Sequence, residues 1–189
     1  MRHLLFALII ILGSAGWVSG QPYRETLPIS QVEIFQRMLV QTEEGNFDKV
    51  DKGTIFLDPL FSALQLKFGV NFKARFQDKV IHRDKAGLEA SILHLAFLDL
   101  IDLLEVAGQL LQKNDLDRAK SKIKVAFQDY LILTPFILNK AFPADQKIKN
   151  DFRVLTLGSE STLRPEEYKR LTAEIQQLIV SAYPEYKIR

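Results

Sequence analysis

The stretch HRDKAGLEASILHLAFLDLIDLLEVAGQLLQ, from His82 to Gln112, is the most apolar part of the chain after its first twenty residues. Its apolar residues recur with a helical period and occupy most of the circumference of a helical wheel. One narrow arc of the wheel holds Ser91, His94, Leu98, Asp102, Glu105, Gln109 and Gln112. The pattern therefore predicts a bundle helix that is buried on nearly three sides, with this arc facing solvent.

A membrane span is the alternative interpretation of so apolar a stretch. Asp99, Asp102 and Glu105 lie in its second half. Each acid would cost roughly 2.5 to 3.5 kcal/mol near the centre of a bilayer. We therefore expect a core helix of a bundle here, and no transmembrane helix in the mature chain.

The first twenty residues, MRHLLFALIIILGSAGWVSG, have the layout of a secretory signal peptide. A short basic start precedes an apolar run from Leu4 to Leu12, and the small residues Ser19 and Gly20 follow. The run is shorter than the roughly 18 residues that a spanning helix needs. We expect cleavage near Gly20 and a mature protein in the periplasm or outside the cell. Retention of the segment as an anchor stays open, because Trp17 and Val18 extend its apolar character.

Size and composition narrow the class of the mature protein. Residues 21–189 have the usual size of one domain, so we predict a single helical-bundle domain. The chain carries 25 Lys and Arg against 23 Asp and Glu, and this balance gives no electrostatic footprint for nucleic acid. It has no cysteine, which excludes disulfides, thiolate metal sites, cysteine nucleophiles and covalently attached haem.

Helix signals before the opening stretch predict three helices. The sequence SQVE at residues 30–33 resembles a capping box, and Gly45 provides a stop for the helix that it opens. Residues 46–57 are predicted to be a connector. Asp58 is the expected cap of the next helix, with Pro59 in its first turn and Gly69 after its end. Residues 70–81 alternate partly like a strand, but a lone strand has no partner, so a helix is predicted.

Helix signals after the opening stretch predict the rest of the bundle. Asn114 and Asp115 cap a helix that Pro135 should kink or end. A shorter helix is expected around residues 148–155, with a stop at Gly158, and Pro165 opens the last helix. The predicted fold class is therefore all-α, an antiparallel bundle of about five or six helices.

Glu89 is the one carboxylate of the opening stretch that projects into the middle of its apolar face. A carboxylate in that position needs a cation, a raised pKa or access to water. Water access at the open end of the bundle is our expectation, because Glu89 lies within two turns of a helix start near Asp84. The alternative is a buried site in which Glu89 pairs with Arg75, with Lys85 or with a bound ligand.

A metal or haem site is the second hypothesis for the chain. The candidate metal ligands are Glu89, His82 and His94, with acids from neighbouring helices. No second ligand follows His94 at a spacing of three or four residues, so a site there needs other helices. A b-type haem between Met38 and His94 is a further possibility, although Met38 lies at core spacing.

Catalytic motifs are missing from the sequence. It has neither the Gly-x-Ser-x-Gly form of a nucleophile elbow nor a phosphate-binding glycine loop, so we do not expect an enzyme. Aromatic residues crowd one region of the chain: Phe56, Phe61, Phe68, Phe72 and Phe76. We predict an interaction surface there if several are exposed, formed by Phe61, Phe68, Phe72 and Phe76.

These observations predict an exported, non-catalytic helical protein that binds another protein or acts in envelope assembly, with a partner in the cell envelope. A periplasmic carrier of a metal or haem is the alternative. A small apolar ligand held inside the bundle near residues 127–136 is a third interpretation.

Overall fold

A computed structural model describes residues 30–157 and 164–186 of the chain. The predicted signal peptide and the stop at Gly158 lie outside these residues. All regular elements within the described ranges are helices, which confirms the predicted all-α class. The eight α-helices of these ranges are α1 (Gln31–Glu43), α2 (Phe47–Thr54), α3 (Asp58–Phe68), α4 (Phe72–Ile81), α5 (Lys85–Gln112), α6 (Leu116–Lys140), α7 (Phe142–Leu157) and α8 (Pro165–Ala182). Two short 3-10 helices lie at Ile55–Leu57 and Pro184–Tyr186.

The prediction of a connector at residues 46–57 is wrong. The segment forms α2 and the first 3-10 helix. Val50 and Leu57 are fully buried, and Phe47 packs against the core beside them. Apolar residues at this spacing of three and seven residues give the polar segment a single buried stripe, which holds it in helical form. The apolar spacing is present in the sequence, but the many charged residues and the glycine between these positions make the segment resemble a loop.

Most of the predicted helix boundaries are confirmed. Ser30 Oγ accepts a hydrogen bond from the backbone N–H of Glu33 at 3.2 Å and so caps α1. The Glu33 carboxylate accepts from Arg37 at 2.6 Å, which adds an ion pair along the same helix. Gly45 and Gly69 have φ values of +75° and +70°, a left-handed conformation that glycine adopts without strain. These two glycines follow α1 and α3 as predicted.

One boundary prediction needs correction. Asp58 is the first residue of α3 and not its cap, and its carboxylate accepts instead from Lys73 Nζ on α4 at 3.0 Å. Of the two outcomes predicted for Pro135, a kink or an end, the structure excludes the end, because Pro135 lies inside α6 and the helix continues to Lys140. The predicted cap at Asp115 and the predicted helix start near Asp84 are confirmed, since each aspartate accepts a hydrogen bond from the backbone N–H of the third residue after it.

The centre of the molecule is the long helical hairpin of α5 and α6, joined by residues 113–115. Helix α5 also contacts α1, α3, α4 and α8, and α7 packs against both α6 and α8. Buried residues from every described helix belong to one continuous apolar core. Within the described ranges, none of the helices is both long enough and apolar enough to cross a membrane.

The arc of α5 that was predicted to face solvent is covered over its first half. Ser91 and Leu98 are buried and His94 is partly buried. The cause is the second 3-10 helix and α4, since the His94 ring stacks on Tyr186 with centroids 4.9 Å apart and meets the edge of Phe72 at 5.5 Å. The residues of the arc that are well exposed are Glu105, Gln109 and Gln112.

Candidate functional site

Glu89, the first predicted metal ligand, is partly buried in the second turn of α5. Its charge acts on the aromatic residues after α8. Burial, together with the charges of Glu185 and Glu89, raises the pKa of Tyr183 to about 12. The cations suggested as partners of Glu89 are engaged elsewhere: Arg75 binds His94, and Lys85 Nζ donates to the Glu43 carbonyl at 2.7 Å.

The two predicted histidine ligands occupy different surroundings. His82 is exposed just after α4, and its Nδ1 hydrogen-bonds with the carbonyl of Asp78 at 2.8 Å. His94 Nδ1 accepts from Arg75 Nη1 at 2.8 Å, which fixes the neutral imidazole. Burial and the charge of Arg75 together lower the pKa of His94 to about 4, against a smaller opposing contribution from Glu185. The structure thus gives His94 a packing role between aromatic rings.

Glu89, His82 and His94 do not form a metal-ligand cluster within the described chain. No group of three or more His, Asp or Glu side chains there is arranged to hold a metal ion. Met38 is buried on α1 and lies against Gly53 of α2. His94 lies in other surroundings, between α4 and the second 3-10 helix.

The predicted interaction residues lie mostly inside the protein. Phe61, Phe72 and Phe76 are buried and pack on one another with ring centroids 5.5 to 6.4 Å apart. Phe68 is partly buried against the same core. These rings hold α3 and α4 together, so the three buried rings are not available to a partner at the surface. The aromatic residue that is exposed in this part of the chain is Phe56, at 66%.

Two buried acids of α7 have partners, which explains how the core accepts them. Asp145 accepts from the Tyr130 hydroxyl at 2.6 Å and from Lys149 Nζ at 2.9 Å. Asp151 accepts from Lys147 Nζ at 2.6 Å. A buried carboxylate with such charged partners recovers part of the hydration that it loses. The contact with Tyr130 joins α7 to α6, and the contacts with the two lysines lie within α7.

Asp99 on α5 and Asp129 on α6 are buried without such partners. Asp99 Oδ2 and both carboxyl oxygens of Asp129 accept no hydrogen bond from the described residues. Burial and, to a smaller extent, the charge of Asp102 raise the pKa of Asp99 to about 7, with Lys122 acting in the opposite direction. Burial also raises the pKa of Asp129 well above its usual range, with a further contribution from Asp99. Burial and mutual repulsion therefore favour the protonated form of this pair.

The sequence contains a signal for this pair. Asp99 and Asp129 each lie fifteen residues from Asn114, in the turn between α5 and α6. Residues equally distant from a tight turn lie at the same level of an antiparallel helical hairpin. Asp99 also falls outside the polar arc of α5, which agrees with its burial.

An open groove lies between α1 and α2, and we call it the α1–α2 groove. Its volume is about 340 Å³, and its lining residues are Ile34, Arg37, Met38, Gln41, Lys49, Lys52, Gly53 and Phe56. Ile34 and Met38 are buried and form an apolar floor. Arg37, Lys49 and Lys52 are exposed, and Phe56 stands at the edge. The groove thus combines apolar surface with cations and has no acidic lining residue.

The sequence explains why the groove has this shape. Gly53 brings α2 close to α1, since a Cβ atom on it would lie 3.3 Å from Met38 Cγ. The 3-10 helix that follows buries Leu57 and leaves Ile55 and Phe56 each 66% exposed. Two adjacent apolar side chains are therefore held at the surface by a residue anchored in the core.

A second groove, between α5 and α8, is larger. Its volume is about 420 Å³, and apolar and polar side chains line it together with the charged residues Glu105 and Lys169. Gly108 allows the Tyr168 ring to lie against α5, since a Cβ atom there would be 3.0 Å from the ring, and the Tyr168 hydroxyl donates to the Leu104 carbonyl. This groove therefore lies where α8 packs on α5 through Tyr168.

Comparisons of the chain with protein-family models, with curated proteins and with solved structures found no match.

Proposed function

We propose that the protein is exported and non-catalytic, and that it binds another protein of the cell envelope through the α1–α2 groove. The observation that carries the proposal is the exposure of Ile55 and Phe56 beside an apolar floor of Ile34 and Met38. Exposed apolar surface that is bordered by polar groups is typical of sites where proteins associate.

The composition of the groove also favours a protein as the ligand. Aromatic residues, methionine and arginine are enriched at protein interfaces, and the groove contains Phe56, Met38 and Arg37. An apolar side chain held in place by the fold loses little conformational freedom on binding. The 3-10 helix fixes Phe56 in this way, because Leu57 beside it is fully buried.

Photo-crosslinking in the cells that produce the protein tests the docking surface. A photoreactive amino acid in place of Phe56 should give one dominant protein adduct under light. Leu66 is the matched control, because it is an apolar residue that is 90% exposed and does not line the groove. An adduct pattern that is the same from both positions, or no adduct from Phe56, would contradict the proposal.

Export is supported by the layout of residues 1–20 and is tested separately. Cell fractionation with sequencing of the protein's N-terminus should place it in the envelope or the medium, with a first residue close to Gln21. A cytoplasmic protein that retains Met1 would refute export, whereas an envelope protein that retains residues 1–20 would indicate an uncleaved anchor.

A further inference from the structure

We propose that the α1–α2 groove binds an acidic amphipathic helix of the partner protein. The apolar side of that helix would cover Phe56 and the groove floor, and its carboxylates would pair with Lys49 and Lys52. This inference rests on the proposed function and adds the chemistry of the partner.

The charge of the groove is the first argument. Three cations line it and no acid does. Arg37 is already paired with Glu33 at 2.6 Å. Lys49 and Lys52 are exposed, and neither forms an ion pair with any residue in the described ranges. Charge complementarity therefore favours a partner that brings carboxylates to these two lysines.

The spacing of the cations is the second argument. Lys49 and Lys52 are three residues apart on α2, so they lie on neighbouring turns of one helical face about 4.5 Å apart along the axis. Acids three or four residues apart on a partner helix have the same spacing. A helix that lies along the groove can therefore present two carboxylates to the two lysines at once.

The helical form of the ligand follows from the fold around the groove. An extended peptide gains most of its affinity by adding a strand to the edge of a sheet. The described chain contains helices alone, so it offers no such edge. A groove between two helices with an apolar floor is the kind of surface that accepts the apolar face of an amphipathic helix.

A single acyl chain with an anionic headgroup is the competing ligand, and the geometry disfavours it. Small-molecule sites enclose most of the ligand surface. The groove is open, and Phe56 at its edge stays 66% exposed. A macromolecular partner covers such a protruding ring better than a narrow acyl chain does.

The test uses two synthetic 18-residue helical peptides that share one stripe of leucine and phenylalanine and carry either glutamate or lysine beside it. Fluorescence anisotropy of the labelled peptides measures their affinity for the purified protein. We expect the glutamate peptide to bind at least tenfold more tightly than the lysine peptide, with the difference shrinking at high salt. The variant K49E/K52E should reverse this preference.

Matched controls separate the groove from general electrostatics. The variant K113E/K124E changes the same charge at two exposed lysines outside the groove and should keep the preference for the glutamate peptide. Circular dichroism of both variants checks that the helical fold is retained. Equal affinity for the two peptides, or a preference that K49E/K52E leaves unchanged, would overturn the inference.

Two further outcomes would assign the groove to another ligand and would also overturn the inference. One is binding to phosphatidylglycerol vesicles that depends on Lys49 and Lys52, without a preference between the peptides. The other is a dimer of this chain that K49E/K52E dissociates. Failure of the inference is distinguishable from failure of the proposed function, since a specific adduct from Phe56 in cells supports the latter whatever the peptides do.

Discussion

Asp99 on α5 and Asp129 on α6 are both buried, and the charge of Asp99 helps to raise the pKa of Asp129. Two carboxyl groups in such a position cannot both ionise without loss of stability, because Asp99 Oδ2 and both carboxyl oxygens of Asp129 accept no hydrogen bond from the described residues, and Lys122 only partly offsets the burial of Asp99.

The stability of the protein should therefore fall as the pH rises from about 4 to 8. A buried carboxyl whose pKa is raised binds its proton more tightly in the folded chain than in the unfolded chain. Its contribution is complete below the usual aspartate value of 3.8 and is lost as the pH passes the folded value, which is about 7 for Asp99. Asp129→Asn should be as stable as the wild type at pH 4 and more stable than the wild type at pH 8.

Thermal unfolding between pH 4 and 8 measures this difference. Asp117→Asn, at an exposed position of α6, is the control and should follow the wild-type curve. Parallel curves for the wild type and Asp129→Asn would show that the buried pair does not retain a proton.

The hydrogen bond from Tyr130 to the buried carboxylate of Asp145 should stabilise the folded protein. Removal of the hydroxyl in Tyr130→Phe takes a donor from Asp145 and leaves that carboxylate with Lys149 alone. We expect a loss of about 1 to 3 kcal/mol in the free energy of unfolding, because a buried acceptor loses its hydrogen bond. Urea denaturation of the two proteins at pH 7 measures it, and equal midpoints would mean that the hydrogen bond contributes nothing to stability.

Substitution of alanine for Gly108 and for Gly53 should change the stability of the protein by different amounts, because the side chain that each new methyl group meets differs in freedom to move. A Cβ atom at Gly108 would lie 3.0 Å from the ring of Tyr168, which its hydrogen bond to Leu104 holds in place, so Gly108→Ala should cost about 1 to 3 kcal/mol. At Gly53 the nearest atom belongs to the flexible Met38 side chain, and alanine gains up to about 1 kcal/mol in helix propensity. Gly53→Ala should therefore be nearly neutral.

Thermal denaturation of both glycine variants tests the comparison. Equal losses at the two positions would contradict it. If Gly53→Ala is stable, it is also a useful variant for binding, since it narrows the α1–α2 groove without a change of charge.

Local signals in the sequence predicted the helices well. The caps at Ser30, Asp84 and Asp115 act on the backbone within one turn, so their effect does not depend on distant contacts. The glycine stops at residues 45 and 69 are local in the same way. The opening stretch was identified as a core helix because its apolar face is too wide for a surface helix.

The predictions that failed depended on how the helices pack. The first half of the polar arc on α5 is buried because Tyr186, almost a hundred residues later, stacks on His94. The α1–α2 groove could not be predicted from a segment taken to be a connector. The sequence also suggested exposure for phenylalanines that interlock in the core, since spacing alone does not say which helix covers an aromatic residue.

The affinity of the partner recovered through the Phe56 crosslink is the most direct test of the docking surface. It should be measured for the wild type, for Phe56→Ala and for Leu66→Ala. We predict at least a tenfold loss of affinity for Phe56→Ala, because a central aromatic anchor contributes about 1.4 kcal/mol or more to an interface, and no change for Leu66→Ala. Equal affinities of all three proteins would contradict the assignment of the groove as the binding surface.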